Sequence, residues 1–168
     1  MRCLIYLLLG LALAVGLVAC SSSDPLAVEF THAQSHEGAQ PFVVTGPAVD
    51  EGIVCPGGSM ELVRLETADG EELTEEDWAG MFDAALEAGT VAEMIVIQEW
   101  TCGDGSGGFT MEYDNRFDFA TFEFEGQQAV GTWEITEGTG SHGDLSGSGD
   151  VALDWDGEQV IYTGEAQS

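Results

Sequence analysis

The side chains that could do chemistry are few, and most stand alone. His32, His36 and His142 are potential zinc ligands. His32 and His36 are four apart and so fall on one side of a strand, but no second motif supplies a third ligand, and surface histidines are expected. The loops Asp104-Gly-Ser-Gly-Gly and Asp144-Leu-Ser-Gly-Ser-Gly-Asp150 combine carboxylates with flexible backbone, as weak calcium sites do. Neither follows the EF-hand order, so ordinary Asp/Gly turns are the simpler expectation. Arg64 and Arg116 are the only cations after Arg2, and lysine is absent. Arg64 shares a period-2 face with Met60 and Leu62. It is therefore a candidate to point inward and hold an anionic group on an apolar guest, against the simpler reading of a paired or snorkelling arginine. Arg116 lies among Glu112, Asp114 and Asp118, which suits a cross-strand ion pair. No serine sits in a nucleophile elbow, and there is no phosphate loop, dinucleotide fingerprint or zinc-protease pair. Paired carboxylates of the glycosidase kind are too easily assembled from 31 acids for any pair to be singled out. No catalytic, cofactor or metal residue is assigned.

Charge narrows the partners. The 168 residues carry 31 acids against 3 basic residues, a formal charge of −28. Such a surface repels phosphate backbones, which excludes nucleic acid as the main partner. It also repels anionic headgroups, so membrane association requires an anchor. An apolar content of 44% is too high for a disordered acidic tail and fits one folded domain. The acidic run from Glu66 to Asp77 reads as a solvated loop and helix start.

The N-terminus reads as an address. Met1-Arg2 precedes an uncharged run from Leu4 to Ala19, too short to span a membrane as a helix but suited to a secretory signal. Leu17-Val18-Ala19-Cys20, followed by three serines, resembles the lipobox of bacterial lipoproteins, in which the cysteine is lipidated and becomes the new N-terminus. The expected organisation is a signal peptide over 1–19, a lipidated cysteine and short tether over 20–27, and a domain over 28–168. The expected location is outside the cytoplasm, on the cell membrane or outer membrane. Loss of Arg2 with the leader would take the formal charge to −29, one beyond the −28 of the whole chain.

With Cys3 in the leader and Cys20 lipidated, Cys55 and Cys102 remain. An even pair in an exported domain is most simply a disulfide. A metal site is the sharper alternative, but neither cysteine has a Cys or His neighbour at ligand spacing.

Strands must position these groups. Phe109-Thr-Met111-Glu-Tyr113-Asp-Asn115-Arg-Phe117-Asp-Phe119 alternates apolar with polar, giving one buried and one wet face. Tyr113 and Asn115 are the polar residues on its inner face and the candidate ligand contacts there. At Ala120 the phase changes, which predicts a bulge or turn near 119–121. Other strands are expected around 28–35, 40–45, 59–67, 91–101, 129–136, 149–155 and 159–164. Residues 74–89 break the pattern: Thr74 is an N-cap, three acids follow, Gly89 stops the helix, and Trp78, Phe82, Ala85 and Leu86 share a face. About eight antiparallel strands predict an all-β single barrel with this one helical insertion, packed on the sheet or over a barrel mouth. A two-sheet β-sandwich is the alternative.

The stretch Gly131-Thr-Trp133-Glu-Ile135-Thr-Glu-Gly138-Thr-Gly140-Ser-His142-Gly143-Asp-Leu145-Ser-Gly147-Ser-Gly149 resembles a signature of exported bacterial proteins related to the allene oxide cyclase and dirigent barrels. Ile161-Tyr162-Thr163-Gly164 resembles their closing strand, and the segments 45–56 and 100–107 resemble members with a Cys pair. His142 stands where that group has an aromatic residue, and the helical insert is longer. The resemblance implies a barrel and a Cys55–Cys102 disulfide, and it carries over no catalytic residue. In physical terms Gly138, Gly140 and Gly143 are expected at positive φ, Gly147 and Gly149 at close strand approaches, and Trp133 and Ile135 in the core.

The functional expectation is a membrane-anchored envelope lipoprotein whose barrel binds a small apolar ligand or an envelope partner. One alternative is a cyclase-like or dirigent-like enzyme that guides an apolar intermediate in a shaped cavity. The other is a purely structural module with a filled core.

Overall fold

Alternation of apolar and polar side chains becomes nine antiparallel strands in the computed structural model, which describes residues 24–34 and 38–168. The leader, Cys20 and His36 lie outside the described residues. The order is β1 (Leu26–Ala33), β2 (Gln40–Thr45), α1 (Pro47–Asp50), β3 (Gly57–Glu66), β4 (Glu72–Leu73), α2 (Glu75–Ala88), β5 (Val91–Cys102), β6 (Gly107–Asp118), β7 (Gln127–Gly140), β8 (Ser146–Asp154) and β9 (Gln159–Gln167). Pairing runs β2-β1-β9-β8-β7-β6-β5-β3, and β2 pairs with β3 to close the ring. Eight strands thus form a closed barrel rather than a sandwich, with β4 as a short extra strand beside β3. Closure leaves no long free edge, which an open acidic sheet would otherwise expose to pairing with other chains.

An eight-stranded barrel is just wide enough for side chains to fill it, and this one is filled. Phe30, Trp100, Met111, Val151 and Tyr162 are each at most 1% exposed. Phe30 meets Trp100, Phe109 and Trp133 at ring-centroid distances of 5.6, 5.7 and 5.4 Å, and Phe42 meets Trp100 at 4.7 Å. Trp133 needs room to reach the centre, and two glycines on its pleat, Gly149 and Gly164, leave it. A Cβ at Gly164 would stand 2.8 Å from the Trp133 ring, while the indole N–H donates to the Thr163 carbonyl at 3.2 Å.

The glycine signature is only partly turn chemistry. Gly140 has φ +63 at the end of β7, as expected, but Gly138 and Gly143 do not have positive φ. Gly138 is instead a close approach, since a Cβ there would run into the His142 carbonyl.

The expected helix is α2. Thr74 Oγ1 accepts the Asp77 N–H at 3.1 Å and the Asp77 carboxylate accepts the Thr74 N–H at 3.1 Å, a reciprocal capping box. The bonds from Thr74, side chain first and then backbone, hold the Asp77 carboxyl below its ordinary range. Gly89, at φ 61, ends the helix in the left-handed conformation. Trp78 and Phe82 turn toward the barrel, whereas Leu86, expected on the same buried face, is 42% exposed. Two small elements carried no clear sequence signal: α1, which starts at Pro47, and β4.

The barrel has two unlike ends. Leu26 pairs with Ala166, so the start of β1 and the end of β9 share one end. Val44 bonds to Pro56, Gly103 bonds to Gly57 and Cys102 closes β5 there as well. The other end carries α2, the 119–126 turn and the 155–158 turn, where Trp155 N–H donates to the Gly126 carbonyl.

Candidate functional site

At the α2 end, Leu62 and Leu65 of β3, Met94 of β5 and Trp78 and Glu75 of α2 line an apolar cavity of about 200 Å³. Each residue arrives there for a local reason. Met94 lies on the inner phase of β5, one step from Val96. Trp78 is one turn into a helix whose start is fixed by the Thr74 cap. Leu62 and Leu65 are three apart yet both face inward, because the register slips between Leu62 and Arg64 and makes Val63 an extra residue in β3.

That bulge overturns the inward placement of Arg64. Val63 shifts the phase, so Arg64 stands opposite Ile97 on the outer surface and pairs with Glu66. Arg116 pairs across strands as expected, with Glu93 of β5 as its partner.

Beyond the cavity an aromatic chain crosses the barrel end. Trp78 touches Phe82 and Phe117 at 5.4 and 6.0 Å, and Phe82 touches Phe119 at 4.8 Å. From Phe119 the contacts continue through Phe122 and Phe124 to Trp155, with Phe124–Trp155 at 5.1 Å. The phase change near Ala120 is a turn, so Phe122 and Phe124 lie on a loop over the end of the barrel, and Phe124 is 47% exposed.

Tyr113 and Asn115 do face inward, both buried. Asn115 is the cross-strand partner of Met94, and its Oδ1 has no hydrogen-bond partner. Deeper in the barrel lies a polar cluster among the aromatic rings. His32 Nδ1–H donates to the Ala33 carbonyl at 2.7 Å and Nε2 lies 2.9 Å from the Tyr162 hydroxyl. The single Tyr162 O–H proton is shared between His32 Nε2 and Gln98 Oε1, the latter 3.3 Å away. His32 is therefore a core residue, contrary to the surface position expected for it, because its neighbours Phe30 and Val28 set an inward phase on β1. Gln98 was not singled out in the sequence, and Tyr162 only as part of the closing-strand segment. Gln98 stands on the apolar phase of its strand, between Val96 and Trp100, and that was the available signal.

Burial pushes the Tyr113 hydroxyl up to about 12, against which its bond to Tyr162 acts, and burial followed by the neighbouring Tyr113 raises Tyr162 well above the ordinary range. An unfolded tyrosine ionises near pH 10, so the unfolded chain releases protons first and the folded state loses stability as pH rises through this window. For Tyr113 alone the loss is roughly 2 kcal/mol by pH 12. With Tyr6 replaced by Phe, ultraviolet titration should show no tyrosinate until unfolding begins, and adding Tyr113→Phe should extend the stable range upward. Two tyrosines titrating near pH 10 in the folded protein would contradict this.

At the opposite end Cys55 and Cys102 form a disulfide with Cα atoms 5.9 Å apart. His142, also expected on the surface, is buried beside it. Its Nδ1–H donates to the Ile53 carbonyl at 3.1 Å, and Nε2 lies 3.0 Å from the Ser106 hydroxyl. The two sulfurs and the ring lie within 4.8 Å of one another, but the sulfurs are bonded to each other and offer no thiolate. The Asp104 carboxylate accepts the Ser106 N–H at 2.9 Å within its own turn, and bonds from Ser106, side chain first, lower its pKa. Among the described residues neither Asp104 nor the Asp144–Asp150 loop belongs to a group of three close metal ligands. Nor is any carboxylate buried among the described residues.

No protein-family profile matches the chain, and neither a curated protein nor a solved structure matches it. Among the described residues no helix is long and apolar enough to cross a membrane.

Proposed function

We propose that this chain is an exported, lipid-anchored binding module that takes a small apolar ligand at one end of its barrel. The observation that carries the reading is the cavity under Trp78. There the apolar interior opens between α2 and the strands β3 and β5. Its volume of about 200 Å³ is small beside typical ligand pockets, yet cavities of ~150 Å³ hold a benzene ring. The occupant is thus a ring or a short alkyl chain, or such a group on a larger molecule. Anchorage through Cys20 is part of the same reading, supported by the lipobox residues and by a tether that enters at the opposite end of the barrel. The ligand end then faces away from the membrane.

The test uses the full chain in nanodiscs of zwitterionic lipid, titrated with toluene and followed by the indole N–H resonances of its four tryptophans. Saturable shifts at Trp78, weakened several-fold by Leu62→Phe, are expected, while Trp100 and Trp133 in the filled interior stay unmoved. Shifts confined to Trp100 or Trp133, or none at all, would refute the assignment. Separately, Cys20→Ala should release the protein from the membrane fraction, and retention there would remove the anchor from the proposal.

A further inference from the structure

One acceptor group lines this cavity, and a second stands outside the lining, paired across strands with Met94. Glu75 contributes a carboxylate to a lining that is otherwise apolar, made by Leu62, Leu65, Trp78 and Met94. Asn115, 5% exposed, stands beside Met94 on the interior face with its Oδ1 unpartnered. Among the described residues no arginine answers them. Arg64, a candidate for the inner face, is outside and paired with Glu66, as the simpler reading had it, and Arg116 pairs with Glu93. The acidic run 66–77 rides on β4 and the first turn of α2 at this same end. An anionic guest such as a fatty acid would meet repulsion from the Glu75 carboxylate and the acidic run, and a neutral guest would leave the Glu75 charge balanced by solvent alone.

We propose that the ligand of this site is a small organic cation: an apolar ring or short alkyl chain bearing an ammonium group. The apolar body enters under Trp78 and the ammonium N–H groups donate to the Glu75 carboxylate at the lip. The Trp78 ring face adds cation–π attraction for the same charge. This rests on the reading of the cavity as the binding site, and it sets the chemical class of the ligand.

Three probes of matched size decide it, each titrated at neutral pH into the full chain in zwitterionic nanodiscs and followed at the Trp78 indole resonance: benzylammonium, benzyl alcohol and benzoate. Benzylammonium is expected to bind about tenfold tighter than benzyl alcohol, with benzoate weakest. Glu75→Gln should collapse the tenfold difference, chiefly by weakening benzylammonium. Glu165→Gln removes the same charge from the far end of the barrel and should leave the difference in place. Equal binding of benzylammonium and benzyl alcohol would overturn the cation assignment while the apolar site stood. Equal losses in Glu75→Gln and Glu165→Gln would overturn it too, by tracing the preference to the diffuse field of the acidic surface. If no probe moves Trp78, the reading of the cavity as a site falls with it.

Discussion

Trp100→Ala is expected to lower the free energy of unfolding by roughly 3–5 kcal/mol, enough to unfold a marginal domain near room temperature. Trp100 is 1% exposed and stands at the hub of the interior, in ring contact with Phe30, Phe42, Phe109, His32 and Tyr162. These neighbours come from β1, β2, β6 and β9, and each is held on a strand that pairs on both sides. The barrel wall cannot collapse into the space, so most of the cavity would remain. Trp100→Phe should cost far less. The indole N–H has no hydrogen-bond partner, so the smaller ring loses volume but also removes an unsatisfied donor. Urea unfolding of the two variants measures the difference. An alanine variant within about 1 kcal/mol of the parent would mean that the interior is not packed as described.

The second large effect belongs to the disulfide. Replacing Cys55 and Cys102 together by alanine is expected to cost roughly 4 kcal/mol, the chain-entropy value for linking residues 47 apart. The loss should be greater still when His142→Ala is added, and by more than the sum of the two. His142 ties Ile53 to the Ser106 loop through its two nitrogens and so spans the same two segments as the sulfur bridge. With the bridge present the histidine bonds are partly redundant; without it they are the remaining side-chain ties from the loop after α1, beside the Gly103–Gly57 backbone bond. A double-mutant cycle on denaturation midpoints reads this coupling. Strict additivity would mean that the two fastenings act independently.

The parts legible in the sequence were those fixed by local chemistry. The alternation from Phe109 to Phe117 placed β6 and named Tyr113 and Asn115 as inward, and the Thr74 cap and Gly89 stop bounded α2 to the residue. What was illegible depended on pairing between distant segments. The bulge at Val63 exists because of how β3 registers against Gln98 and Ile97, and nothing in Leu62-Val63-Arg64 marks it. One extra residue therefore reversed the face of Arg64 and brought Leu65 into the cavity. His32 read as a surface residue because its partner Tyr162 is 130 residues away. The cavity itself had half a signal: the helix face containing Trp78 could be read, but not the strands it would cover.

Pairing between β1 and β9 sets an order of events in time. The other barrel pairs join strands that follow one another in the chain, apart from the insertion of β4 and α2 between β3 and β5, and such contacts can form soon after each segment emerges. The seam cannot. Its eight pairs run from Leu26↔Ala166 to Ala33↔Gln159, so the first strand must wait for the last. For a chain threaded across a membrane from its N-terminus, the barrel stays an open, curling sheet with Val28 and Phe30 uncovered until Gln167 has passed through. Translocation rather than collapse would then set the pace of folding, and the interval before closure is when this acidic chain most depends on its own charge to stay apart from its neighbours.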